Sequence, residues 1–146
     1  MNPYTYESVV HLRDTDATGR LYFPRAFDLA VETFEAYLAH CGLPLGDWLR
    51  AGTHAFPVVH AAADYLQPMW PGQPLRVTLT LEEAGTTSLP CRYEISDPAG
   101  QTLVQLRLVH VMIDARSGEK KPIPKDWRQR LFAGTPGPDA SATTHS

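Results

Sequence analysis

One stretch of this sequence, PRAFDLAVETFEAYLAHCG at positions 24–42, has the spacing of a long helix with a single buried side. Phe27, Ala30, Val31, Phe34, Leu38 and Cys41 recur at intervals of three and four, so they fall on one stripe. Pro24 suits the first helical position, where its missing N–H would lack a partner anyway, and Gly42 suits the residue after the last turn. About 18 residues rising ~1.5 Å each predict a rod of roughly 27 Å. Such a helix needs one apolar surface to lie on, and the remaining elements read mostly as strands.

Tyr4 to His11 alternates with β-formers and predicts a first strand. A short helical piece is expected around Asp47 to Arg50. Four further runs follow, Phe56 to Leu66, Leu75 to Glu83, Ser88 to Ser96 and Gln101 to Asp114. In the second of these, Leu75, Val77, Leu79 and Leu81 alternate with Arg76, Thr78, Thr80 and Glu82, the mark of a strand buried on one face. Glu83-Ala84-Gly85 and Asp97-Pro98-Ala99-Gly100 read as tight turns, which makes the strands they join antiparallel neighbours. A short helix is expected over 124–132. The small, polar residues 133–146 are expected to form a disordered tail. The layout is an α+β arrangement of two layers, one long helix on a sheet of about five strands. Such a sheet has free edges, and edge-to-edge dimerisation is one way to cover them.

The chain has 146 residues with 13 Lys+Arg and 16 Asp+Glu, a net charge of −3. The length suits one domain with its own core. The mild negative charge argues against a nucleic-acid binder that works by neutralising phosphates. Two distant cysteines, Cys41 and Cys91, suggest neither a disulfide framework nor a cysteine zinc site. The first ten residues, MNPYTYESVV, lack the pattern of a signal peptide, and no window is long and apolar enough for a transmembrane helix. The expected setting is the cytoplasm.

Chemistry is best sought in RDTDATGRLYFP, positions 13–24, where two acids and a glycine precede the start of the helix. A helix N-terminus has free N–H groups and a partial positive charge, and can hold a developing oxyanion. Pro24 has no N–H, so the best placed donor is the amide of Phe23. Gly19 permits a positive φ or the close approach of a ligand. Three readings of Asp14 and Asp16 stand side by side: turn residues bonding their own loop, a catalytic carboxylate, and a D-x-D metal site. The last lacks a companion cluster of ligands.

RDTDATGRLYFPRAFDLAVETFEAYL resembles the start of hotdog-fold acyl-CoA thioesterases of the 4-hydroxybenzoyl-CoA thioesterase type. FPVVHAAADYLQPMWPGQPL and HVMIDARSGEKKPIPKDW extend the similarity, most closely to the branch acting on 1,4-dihydroxy-2-naphthoyl-CoA, whose product feeds naphthoquinone synthesis. The resemblance implies a hotdog domain over 1–132, a five-stranded antiparallel sheet wrapped around one helix. It implies a homodimer or tetramer with active sites between subunits. It maps the catalytic carboxylate onto Asp16, as nucleophile or general base, the oxyanion amide onto Phe23 and the family glycine onto Gly19. It implies an acyl-CoA substrate, and the expectation is that no metal or organic cofactor, no nucleic acid and no membrane is involved. Arg20 departs from the aliphatic residue or His usual at its position. Val31 stands where 4-hydroxybenzoyl-CoA enzymes set an acid near the ring hydroxyl, which counts against 4-hydroxybenzoyl specificity and leaves room for a larger aromatic acyl group.

Other residues carry two readings each. His60, expected on a strand near the helix and sharing a face with Asp64, is a structural histidine or a substrate contact. Glu32 is a surface residue or, as in another hotdog subgroup, a helix base. Glu35 lies beside it off the stripe. His110 reads as buried and hydrogen-bonded. Lys120, Lys121, Lys125, Arg128 and Arg130 form either a solvated basic stretch or a seat for the coenzyme A phosphates. Tyr22, Trp48, Trp70 and Trp127 are core residues or the lining of an aromatic pocket.

Overall fold

A computed structural model describes residues 3–133. The chain runs through β1 (Tyr4–Val9), a 3-10 turn (Leu12–Asp14), α1 (Arg25–His40), α2 (Leu45–Ala51), β2 (His54–Ala55) and β3 (Val58–Tyr65). It continues through β4 (Pro74–Leu81), β5 (Ser88–Ser96), β6 (Thr102–Val111), β7 (Ile113–Asp114) and α3 (Lys125–Ala133). Five strands make one antiparallel sheet in the order β1-β4-β5-β6-β3, and β2 pairs with β7 in a separate ribbon. Helix α1 packs across β1, β4 and β6. This is the α+β, helix-on-sheet hotdog arrangement expected from the sequence.

The alternation in β4 is observed as expected, with Leu75, Val77, Leu79 and Leu81 buried toward the helix. Cys91, Tyr93 and Ile95 of β5, with Val104, Leu106 and Leu108 of β6, complete that face. In α1 the buried face comprises Ala26, Ala30, Thr33, Phe34, Tyr37 and Leu38, while Phe27 and Val31 are only half-buried. The stripe is therefore rotated from the expected one. Thr33 enters it because its hydroxyl is satisfied by Leu29 O at 2.8 Å. Cys41 caps the helix, and Gly42 turns the chain out with φ 78°, its N–H bonded to Ala39 O. Pro24 stands one residue before the helix rather than inside it.

Two expected strands have different bounds. Pro57 has no N–H for a ladder, so the run expected over 56–66 begins its pairing only at Val58, and β2 lies ahead of it as a separate piece. The run 101–114 breaks at Met112, whose amide bonds Thr87 O at 2.8 Å, and β7 then leaves the main sheet to pair with β2. The expected helix over 124–132 is α3. Ala133, placed in the tail by the sequence, closes that helix, and 134–146 lie outside the described residues. Trp48 and Trp127 meet edge to face at 5.3 Å and are buried, which makes them core. Both cysteines are free and buried.

Candidate active site

The segment ahead of α1 folds as a miniature hairpin. Tyr22 N–H donates to Asp14 O (2.7 Å), Thr15 bridges Leu21, and Asp16 N–H donates to Arg20 O (3.0 Å). Gly19 closes the tip, with φ 76° and its N–H on Asp16 O at 3.0 Å. The positive φ is what a glycine allows there.

The hairpin separates the two acids. Asp14 is largely covered: it accepts the His11 N–H at 3.1 Å and lies 3.8 Å from the Arg25 guanidinium. It caps the 3-10 turn and ties it to the start of α1. Asp16 stands exposed at the tip. Its Oδ1 accepts the Thr18 N–H at 2.8 Å and the Thr18 hydroxyl at 2.5 Å. The Thr18 hydroxyl, then its amide, hold the Asp16 carboxyl below the ordinary aspartate range, with smaller help from Arg20. Both Thr18 bonds fall on Oδ1, so Oδ2 remains for a reacting atom.

Phe23 supplies the matching donor. Leu21 N–H goes to Met69 O, Tyr22 N–H to Asp14 O, and the amides of Arg25, Ala26 and Phe27 turn back to the carbonyls of Tyr22, Phe23 and Pro24. From 21 to 27, Phe23 alone has an N–H with no partner among the described residues. A reacting carbonyl needs its attacker at about 3–3.5 Å and its oxyanion donor at about 2.7–3.1 Å. Carboxylate and amide must then stand roughly 6–7 Å apart.

The surroundings are aromatic. Tyr22 and Phe23 are exposed, with ring centroids 5.5 Å apart. The Arg20 guanidinium lies 5.1 Å from the centre of the Trp70 ring. A cavity of about 300 Å³ runs between Arg20, Leu21, Tyr65, Leu66 and Met69. Tyr65, on β3, donates its hydroxyl to Phe23 O and meets the Phe23 ring edge-on at 6.4 Å. Sequence reasoning missed Tyr65 because 42 positions separate it from its partner. It also missed Thr18, although an Asp followed two residues later by Thr is a local turn signal.

The other candidates lie elsewhere. His60, expected near the helix, is turned away from it: the register sets it opposite Val109, on the outer face with Ala62 and Asp64, while Ala61 and Ala63 face Leu108 and Leu106. Glu32 and Glu35 are exposed on α1, and Glu32 neighbours Tyr6. His110 is buried, stacked on Phe34 at 4.1 Å, with Nδ1 on Phe56 O at 2.9 Å. Three of the five cations at 120–130 hold backbone carbonyls: Lys121 that of Thr53, Arg128 those of Gly85 and Thr86, and Arg130 that of Gly42. They pin α3 and the β7 loop to the body of the fold. Among the described residues, no three His, Cys, Asp or Glu gather as a metal site, and no helix is long and apolar enough to cross a membrane.

Known proteins resemble this chain over most of its length. Residues 10–131 match the model of the thioesterase-like superfamily. A 1,4-dihydroxy-2-naphthoyl-CoA hydrolase of Synechocystis is 35% identical over 132 residues, covering 90% of this chain and 96% of its own. One from Nostoc punctiforme is 33% identical, covering 88% and 86%. The crystal structure of a 1,4-dihydroxy-2-naphthoyl-CoA thioesterase from Synechocystis superposes with a TM-score of 0.84 at 33% identity, covering 90% of this chain and 96% of that one. The chain belongs to the thioesterase-like superfamily.

Proposed function

We propose that this protein hydrolyses the thioester of an aromatic acyl-CoA, 1,4-dihydroxy-2-naphthoyl-CoA, to the free acid and coenzyme A. The observation that carries the proposal is the pairing, on one short hairpin, of the exposed Asp16 carboxylate, held below its ordinary pKa, with the Phe23 N–H at the start of α1, which has no partner among the described residues. The thioester carbonyl oxygen sits on the Phe23 N–H. Asp16 Oδ2 either attacks the carbonyl carbon or takes a proton from the water that does. Negative charge moves to the carbonyl oxygen, where the amide stabilises it; one such donor is typically worth about 3 kcal/mol. The tetrahedral intermediate collapses, the C–S bond breaks, and coenzyme A leaves as a thiolate that is protonated from solvent. In the nucleophilic route, water then hydrolyses the mixed anhydride and regenerates Asp16. No cofactor enters either route. Relatives named for the naphthoyl substrate, and Val31 in place of an acid on α1, support the larger acyl group.

The same reading includes a homodimer. Val58–Tyr65 is an eight-residue edge strand carrying one charge, Asp64. Its exposed Val59 (61%) continues into exposed Tyr65, Leu66 and Phe23. An apolar edge of this kind is a template for pairing. A second copy laid along β3 would roof the hairpin and exclude water, leaving Arg20 and Tyr22 to contact the substrate. His60 takes no part within one chain.

A thiol-release assay across naphthoyl, benzoyl, 4-hydroxybenzoyl and long-chain acyl-CoAs, and an acyl carrier protein thioester, tests the assignment. The expected result is the highest kcat/KM on 1,4-dihydroxy-2-naphthoyl-CoA. Preference for a fatty acyl group would move the protein to another substrate class. Tight binding without hydrolysis of any substrate would make it an acyl-binding module.

A further inference from the structure

We propose that Tyr65 is a positioning residue for the oxyanion amide, fixing Phe23 through its carbonyl and its ring. This rests on the reading of Phe23 N–H as the oxyanion donor.

The peptide plane that carries the Phe23 N–H is set on its Tyr22 side, where Tyr22 O accepts the Arg25 N–H at 2.9 Å, but its Phe23 side is held weakly by the helix. Phe23 O receives only a long bond from Ala26 N–H, 3.4 Å, and Pro24 offers no N–H to steady the turn. Phe23 is 61% exposed, so the core does not grip it. Tyr65 supplies what is missing: its hydroxyl donates to Phe23 O, and its ring meets the Phe23 ring at an interplanar angle of 87°. Tyr65 in turn is set by the β3 ladder, opposite Val104. Two contacts on one residue, from a strand paired into the main sheet, restrict rotation about the Phe23 backbone bonds and so keep its Cα side from tilting the N–H, which the Arg25 bond to Tyr22 O holds from the other side. The phenol is protonated at neutral pH and so donates there, with partial burial raising its pKa further. A donor that is aimed before the oxyanion forms needs no reorganisation when it does.

The variants Tyr65→Phe and Tyr65→Leu test this, assayed beside Asp16→Asn with two acyl-CoAs of different acyl group. Loss of an oxyanion donor costs about 10²–10³ in kcat, so a loosened one is expected to cost roughly tenfold in Tyr65→Phe. The loss should appear in kcat with KM nearly unchanged, because the interaction is made in the transition state. It should be equal for both substrates, since the thioester carbonyl is common to them, and larger in Tyr65→Leu. The thermal midpoint of Tyr65→Phe reports folding separately. A Tyr65→Phe enzyme with unchanged kcat, beside an inactive Asp16→Asn, overturns the positioning role and leaves the thioesterase reading standing. A rise in KM confined to one acyl group makes Tyr65 an acyl-pocket wall and also overturns it. Full activity in Asp16→Asn removes the underlying reading, and this proposal with it.

Discussion

Asp14 and Asp16 stand two residues apart and meet different surroundings. Asp14 is drawn under the His11 amide and beside Arg25, whereas Asp16 projects from the hairpin tip with one oxygen held by Thr18. The sequence marks both acids and the glycine turn, but only the three-dimensional hairpin tells the cap from the tip. Thr18 makes a prediction of its own. Removing its hydroxyl in Thr18→Val takes away the largest influence lowering the Asp16 carboxyl. The acid limb of the kcat/KM profile should then move to higher pH, with the neutral plateau largely kept. An unmoved limb would mean that another group controls it.

Among the elements, local patterns are legible and their junctions are not. The long helix, the β4 alternation and the turns at 83–85 and 97–100 are local signals, and each matches an observed element or connection, although the buried stripe on α1 is rotated from the expected one. The break at Met112 and the outward turn of His60 depend on long-range register, whereas the break at Pro57 is a local signal that the run over 56–66 passes over. Helix α1 is held by its buried face, so Leu38→Ala should destabilise the protein by about 2–5 kcal/mol in chemical denaturation. His110 gives the fold a pH dependence. Phe56 O only accepts, so Nδ1 carries the proton and Nε2 is left with a lone pair and no partner. Burial lowers its pKa below the ordinary 6.5. The unfolded chain therefore binds more protons than the native one below about pH 6.5, and stability is lost as pH falls from there toward the lowered native value. The urea midpoint should drop between about pH 7.5 and 5.5, and drop less in His110→Phe. An equal drop in both proteins would remove His110 as the cause.

Taken whole, one chain leaves its candidate site open to water and its β3 edge uncovered. The sequence suggests an edge to be covered, since any single sheet has one, but which strand lies there follows from the order β1-β4-β5-β6-β3. A charge at an exposed edge position, Val59→Lys, should shift the sedimentation profile from dimer to monomer and lower turnover in parallel. A fully active monomer would show that the site needs no second copy. The role of the hairpin carboxylate is decided by turnover of Asp16→Ala, with coenzyme A binding measured on the same sample. A fall in kcat of roughly 10²–10⁴-fold with binding retained is expected. Wild-type turnover from a chain lacking this carboxylate would contradict it.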